Sequence, residues 1–260
     1  MEAVAPPDPA WERRHPGEPE WWSFDFWAPG ANLGGFVGLV FGAAPRVAWY
    51  WAALVGSGRP YLLVRDLEVA VPRLPGSRQV RSDGLWADVN CETPFEHWSL
   101  GLEAFGVSMD DPSEALGAER GDRAGLGLDL EWEAVAGIVG GDGGYEQPCA
   151  VHGEILVGAG RDVETIGLDG HGWRRHGWGD VDWFATPRSW LGGRLHDATP
   201  YRAADVGIHD LVTLHRAPLV LEAAARRAVL ERRLCRFTAP DGRPGHGWAE
   251  WVSPAGDQAG

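Results

Sequence analysis

Alternation of apolar and polar positions dominates this chain. Leu85, Ala87, Val89 and Cys91 fall on one face of an extended segment, with Trp86, Asp88, Asn90 and Glu92 on the other. A second run sets Leu126, Leu128, Leu130 and Trp132 against Gly127, Asp129, Glu131 and Glu133. A third sets Val151, Gly153, Ile155 and Val157 against His152, Glu154 and Leu156. Gly34–Gly42 and Val47–Val55 are apolar runs of strand length, divided by the Ala43–Pro45 break. Tyr61–Val71 reads as a further strand, entered through a Ser57–Pro60 turn and ended by Pro72. Arg161–Leu168, Trp173–Trp183, Pro187–Leu195, Ile208–Leu214 and Arg232–Phe237 continue the series. Gly245–Val252 closes it after an Asp241-Gly242 hairpin signal. Asp110–Gly125 is polar and turn-rich and reads as a loop, with a helical turn as the alternative within it. Glu222–Leu234 has strong helix propensity, and Leu230, Leu234 and Phe237 fit helical spacing, so helix and strand both stay open there.

Many short strands with regular turn signals predict an all-β, antiparallel barrel or sandwich in two halves. The glycine run Gly140–Gly144 is the expected boundary. The expected organisation is a flexible arm over 1–20, one β domain over 21–143 and a second over 144–260. The arm is expected to dock through Trp21, Trp22, Phe24 and Trp27.

Composition narrows the function. There are 15 Trp against 2 Met. That many rigid, amphipathic rings suit a pocket for an apolar ligand, although they would equally fill β cores. The net charge is −14 and all 23 basic residues are Arg. Such a chain is poorly suited to nucleic acid or an anionic membrane surface, and without Lys it has neither a Schiff base nor a Walker-type phosphate loop. Cys91, Cys149 and Cys235 are sparse and form no CxxC, which fits a reducing compartment. The acidic, proline-rich start lacks an apolar signal-peptide core, and no apolar stretch reaches a membrane span. A cytoplasmic protein without integral membrane association is expected; its oligomeric state is left open.

Candidate chemistry concentrates between Gly170 and Trp183. On one extended strand Arg174, His176 and Trp178 share a face, and Asp182 joins them unless the glycines make a bulge. An imidazole, a carboxylate, a guanidinium and an indole can move a proton and stabilise cationic character. The competing reading is a structural network in which Arg174 pairs with Asp182 and His176 caps a buried indole. Candidate ligand-binding positions are Trp86, Asp88, Glu92 and Trp98 in one cluster, then His152 and Trp183. His152 with Glu154 is either an acid–base unit or a surface pair. His171 and His176 fall on opposite strand faces and no HExxH occurs, so no metal site is expected. Neither GxSxG nor a GxGxxG in βαβ context is present.

The run Gly-x-Gly-x-Arg-x-His-x-Trp-Gly-x-x-Asp-Trp from Gly170 to Trp183 resembles an uncharacterised bacterial family related to the carotenoid hydratases (hydroxyneurosporene-synthase-like proteins). WYWAALVG from Trp49, RPYLLVRDLEV from Arg59, CETPFEHWSLGLEAFGV, YEQPC, VHGE and RRLCRFT carry the resemblance over residues 20–252. It implies two lipocalin-like β-barrel halves packed together, with a cavity near their junction. It also implies hydration, isomerisation or cyclisation of an apolar isoprenoid or polyene without a cofactor. His176 and Trp178 match the His-x-Trp element of the hydratases. Where many members of the family read Arg-Asp-His-Ser-Trp-Gly-x-Arg-Asp-Trp, this chain has Arg175, Gly177 and Val181, so an acid is lost beside the histidine. The resulting expectation is an acid–base enzyme with His176 and Asp182 as the proton-transfer pair, Trp178 stabilising charge and Arg174 orienting the carboxylate. The alternative is a non-catalytic carrier of hydrophobic ligands.

Overall fold

The computed structural model describes residues 7–254 except 16, 45, 142, 159, 180, 181, 185, 186, 205, 208–210, 224 and 225. Pro45 of the expected break, Val181 of the family motif and the first three residues of the expected Ile208–Leu214 strand therefore lie outside the described residues. Every long element is an antiparallel strand. The first sheet contains β1 (Glu20–Trp27), β2 (Leu33–Ala44), β3 (Val47–Gly56), β4 (Arg59–Ala70), β5 (Val80–Ser82) and β6 (Leu85–Thr93). It continues with β7 (His97–Met109), β8 (Asp122–Ala134), β9 (Val139–Gly141), β10 (Gly144–Val157) and β11 (Glu164–Trp178). The second contains β12 (Arg188–Leu195), β13 (Pro200–Ala204), β14 (Val212–Arg216), β15 (Leu219–Ala223), β16 (Arg226–Thr238) and β17 (Pro244–Pro254). No helix among the described residues is long and apolar enough to cross a membrane.

The first sheet closes on itself. β1 pairs with β2 and β11, and Tyr61–Leu63 of β4 pair with Val107–Met109 of β7. The ring therefore runs β1-β2-β3-β4-β7-β8-β10-β11 and back to β1. Its interior takes alternate residues, among them Trp22, Phe24 and Phe26 of β1, Leu100 and Leu102 of β7, and Leu128, Leu130 and Trp132 of β8. The opposite faces of β1–β4 and β11 pack against the second sheet through Trp27, Phe36, Trp49, Trp51, Trp173, Trp190 and Trp248. Both faces of these strands are buried, which is why apolar runs replace clean alternation there.

Two expectations are corrected and one open alternative is decided. The glycine run at 140–144 marks no change of sheet: β10 and β11 hydrogen-bond into the first sheet, and the change falls between Trp178 and Arg188. Residues 7–15 are folded onto the ring rather than free, because the Pro9–Glu12 3-10 turn, capped by Asp8, carries Glu12 into a buried position. Within Glu222–Leu234, Arg226 onward is strand. Ala228, Leu230, Arg232 and Leu234 are buried in alternation, so burial at period 2 overrides the helix propensity of the segment.

Gly172 on β11 shows what a small residue permits. The Trp132 indole N–H donates to the Asp25 carbonyl at 3.1 Å. A Cβ on Gly172 would meet that carbonyl oxygen at 2.3 Å, Val151 at 2.5 Å and the indole nitrogen at 2.9 Å. Gly172→Ala is expected to cost about 1–3 kcal/mol, read as a lower urea midpoint with unchanged slope.

Candidate functional site

One end of the ring interior is polar. On β11, Arg174 and His176 stand opposite Phe24 and Trp22 of β1 and opposite Gln147 and Tyr145 of β10. Period 2 places Arg174 and His176 on one face, as the sequence predicts, and in the closed ring that face is the interior one. Residues 9–15 then fold over this end.

Glu12, 2% exposed, sits at the centre. Its Oε1 accepts from Arg174 Nη2 at 2.6 Å and from the Phe95 backbone N–H at 2.8 Å. Its Oε2 accepts from the Tyr145 hydroxyl at 2.6 Å and from Arg174 Nη1 at 3.3 Å. Gln147 holds the guanidinium from the side: Oε1 accepts from Arg174 Nη2, while Nε2 donates to the Phe95 and Ala136 carbonyls. The Arg174 guanidinium also lies 5.4 Å from the Trp98 ring and 5.3 Å from the Tyr145 ring.

Beside it is a second carboxylate cluster. Glu20 Oε1 accepts from His176 Nε2 at 2.8 Å and from His15 Nδ1 at 3.0 Å, and Oε2 accepts from the His15 backbone N–H. His176 is 1% exposed and stacks on Trp22 at 4.7 Å. His15 stacks on Trp178 at 4.3 Å. Among the described residues His176 Nδ1 has no hydrogen-bond partner.

Burial lowers the His176 pKa, and the hydrogen bond to Glu20 opposes but does not reverse this. Burial alone would raise Glu20, yet hydrogen bonds from His176 and His15 hold it below the ordinary glutamate value. At neutral pH the pair is therefore a neutral imidazole donating through Nε2–H to an ionised carboxylate. That leaves the Nδ1 lone pair as a base. The nearby thiols do not compete, since burial pushes Cys149 up to about 12 and Cys91 to about 11.

The structure distributes the other expected residues widely. Asp182 does not join His176. β11 ends at Trp178, Gly179 takes φ +91°, and the exposed Asp182 carboxylate pairs with Arg226 at 2.8 Å. Its expected partnerships pass to Glu20 and Glu12. Trp178 lies at the rim against His15, 5.1 Å from the His176 ring. Trp98 is buried at the site. Trp86 and Asp88 are half-buried on the outward face of β6, Asp88 near Gln79 Nε2, and Glu92 is exposed and accepts from Ser99. His152 and Glu154 are exposed on β10. Trp183 is buried between the sheets, edge-on to Trp21 and Trp51.

Arg175, the expected departure from the resembled family motif, points away from the site and pairs with Glu250 of β17 at 2.8 Å. Gly177 likewise faces outward, under the Trp21 indole. The expected tryptophan-lined cavity also gives way. Trp22, Trp27, Trp49, Trp98, Trp132 and Trp248 are fully buried core residues. Two clefts of about 590 Å³ have one Trp each in their walls, Trp86 and Trp49.

Glu12, His15, Glu20, Tyr145 and Arg78, whose guanidinium donates to the Glu12 carbonyl and lies over the Trp22 and Trp98 rings, escaped the sequence reading. Tyr145 and Gln147 had a signal, because period 2 counted back from Val151 puts both on the Val151 face. Glu12 had none. His15, Glu20 and His176 also offer three donor atoms within 4.8 Å of one another, the donor chemistry of a divalent-metal site. The expectation of no metal rested on His171 and His176, whereas folding brings His15 to His176.

A family model described as a domain of unknown function, DUF7064, matches residues 8–213. No curated protein matches the sequence. Among solved structures, a candidate AttH from Nitrosomonas europaea is 13% identical with a TM-score of 0.51, over 96% of this chain and 97% of that one. CghA with Sch210972 is 11% identical (TM-score 0.48; 97% and 93% covered). Kievitone hydratase from Nectria haematococca is 12% identical (TM-score 0.48; 96% of each chain). At 13% identity the likeness to the Nitrosomonas europaea protein is one of fold.

Proposed function

The chain belongs to the DUF7064 family, and we propose that the polar end of its ring is an acid–base site. There it isomerises or hydrates an alkene in an apolar isoprenoid, polyene or lipid-like substrate, in keeping with the resemblance to the carotenoid hydratases. One observation carries this reading: a buried His176 oriented by Glu20, its Nδ1 without a hydrogen-bond partner among the described residues, at the end of an otherwise apolar interior.

In an isomerisation, Nδ1 takes a proton from a carbon beside the double bond. The C–H electron pair shifts into the chain, and the imidazolium returns its proton at the far alkene carbon. Glu20 stabilises the imidazolium between the two transfers. Trp22, stacked on the imidazole, sets its plane. His176 is covered by the segment 9–15, so substrate entry requires that segment to move.

Native mass spectrometry of freshly purified protein identifies the co-purifying apolar molecule, and turnover of that molecule is then followed for wild type and His176→Ala. Loss of turnover with retained binding is expected. Turnover that survives the substitution refutes the assignment.

A carrier function is the second reading. It is favoured by the cleft of about 590 Å³ formed by Leu85, Trp86, Phe105, Leu126, Leu156 and Val163. Phe105, Leu156 and Val163 are exposed there. Leu156 and Tyr145 lie near opposite ends of β10, so this cleft is roughly 35 Å along the strand from His176. Ligand binding lost on Trp86→Ala but kept in His176→Ala, without turnover, selects the carrier.

A further inference from the structure

The carboxylate of Glu12 is held by groups that are not its own. Both Arg174 contacts come from β11, the hydroxyl of Tyr145 from β10, and the Phe95 N–H from the turn between β6 and β7. Gln147, anchored to two backbone carbonyls, positions the guanidinium without touching Glu12. The ring thus builds a complete two-oxygen seat, and the arm only inserts a carboxylate into it. A buried guanidinium needs an anion, because leaving it unpaired costs several kcal/mol.

Two further features describe what else fits. Behind the seat the interior is apolar and aromatic, with Phe24, Trp22 and Trp98. The Trp22 and Trp98 indole N–H groups are buried and unpartnered among the described residues. Outside it, a cleft of about 430 Å³ is bordered by Glu12 itself together with Arg13, Arg14 and Arg78. Arg14 lies 3.8 Å from Glu20 and Arg78 donates to the Glu12 carbonyl, but Arg13 is exposed, so three arginines against Glu12 and Glu20 leave this mouth net positive in a chain of net charge −14, which would draw in an anion.

We infer that this seat is the headgroup site for a monocarboxylic acid with an apolar tail, and that Glu12 is an internal stand-in that keeps the mouth shut until such an acid displaces it. The inference deepens the proposed function, and rests on it, by naming the substrate class. The ligand's carboxylate takes the four hydrogen bonds of Glu12, and its tail lies in the cleft outside the seat, along Gly76, Cys91 and Pro94. Because Glu12 is tethered, it competes at high effective concentration, so the wild type binds such acids weakly.

Decanoate and decanol are the probes, and thermal unfolding of the full chain is the readout. Glu12→Ala is expected to unfold at a lower temperature than wild type. Saturating decanoate raises its midpoint by roughly 5 °C or more, with decanol much less effective. The apparent decanoate affinity of wild type is at least about tenfold weaker than that of Glu12→Ala. Glu12→Ala combined with Arg174→Met removes both buried charges and retains folding; the decanoate response disappears. If Glu12→Ala fails to fold, Glu12→Gln takes its place in the same assay.

Equal stabilisation by decanol, rescue by acetate as strong as by decanoate, or an undiminished response in the double variant each overturns the inference. Its failure is separable from that of the acid–base reading. A decanoate response with no turnover of any bound molecule removes catalysis alone. Turnover dependent on His176 with no decanoate response removes the carboxylate seat alone.

Discussion

Glu20→Gln is expected to lower turnover about 10²-fold or more and to move the acidic limb of the kcat/KM profile to lower pH. The first effect follows from geometry. Glu20 accepts the Nε2 proton of His176 and so leaves Nδ1 free to act. A glutamine amide can turn its NH₂ toward Nε2, which drives the proton onto Nδ1 and removes the base. It also leaves the imidazolium without its neutralising charge, and general-base assistance is worth about 10²–10⁴ in rate. The second effect follows from the pKa balance. Burial lowers His176, and Glu20 raises it part of the way back. Without Glu20 the histidine titrates lower still, so the base stays deprotonated in more acidic solution. Measuring kcat/KM against pH for both proteins tests this. A limb that stays in place or moves upward would show that His176 is not the titrating base.

Glu250→Gln is expected to cost about 3–5 kcal/mol of unfolding free energy. This glutamate lies between ring and second sheet, 6% exposed. It accepts from Arg175 at 2.8 and 3.2 Å and lies 3.4 Å from Arg232 Nε, while Arg232 also donates to Asp25 at 2.8 Å. Glutamine leaves two buried guanidinium groups with one carboxylate between them. Urea denaturation should show the loss at neutral pH, and acid should erase it. Burial works to raise Glu250, but Arg175 and Arg232 hold it at about 2, against about 4.3 in an unfolded chain. A depressed carboxyl stabilises the fold above its unfolded pKa and stops doing so as pH falls through the folded value. The gap between wild type and variant should therefore be full above about pH 5 and close toward pH 2. A gap independent of pH would mean that shape, and not charge, is what Glu250 supplies.

Much of the fold was legible because alternation is a local signal. Leu85–Glu92 and Leu126–Glu133 lie within β6 and β8, and the runs from Gly34, Val47 and Tyr61 fall on β2, β3 and β4. The failures share a cause. Arg161–Leu168 and Trp173–Trp183 looked like two strands but form one, Glu164–Trp178, because the glycines between them lie within the paired length of β11 rather than in a turn. Segment 222–234 kept a helical composition on strands buried against the ring.

Residue order along one strand determined that Arg174, His176 and Trp178 share a face, since side chains alternate whatever surrounds them. It also determined the antiparallel β class and the absence of lysine chemistry. The partners of those residues were decided only by tertiary structure. Glu20 meets His176 across 156 positions of sequence, and Glu12 meets Arg174 across 162. A carboxylate six positions away, Asp182, was the natural guess, but the strand ends before reaching it. Hydrogen bonds and ion pairs depend on distance in space, and a closing ring brings its first and last strands together without leaving a trace of that pairing in local pattern.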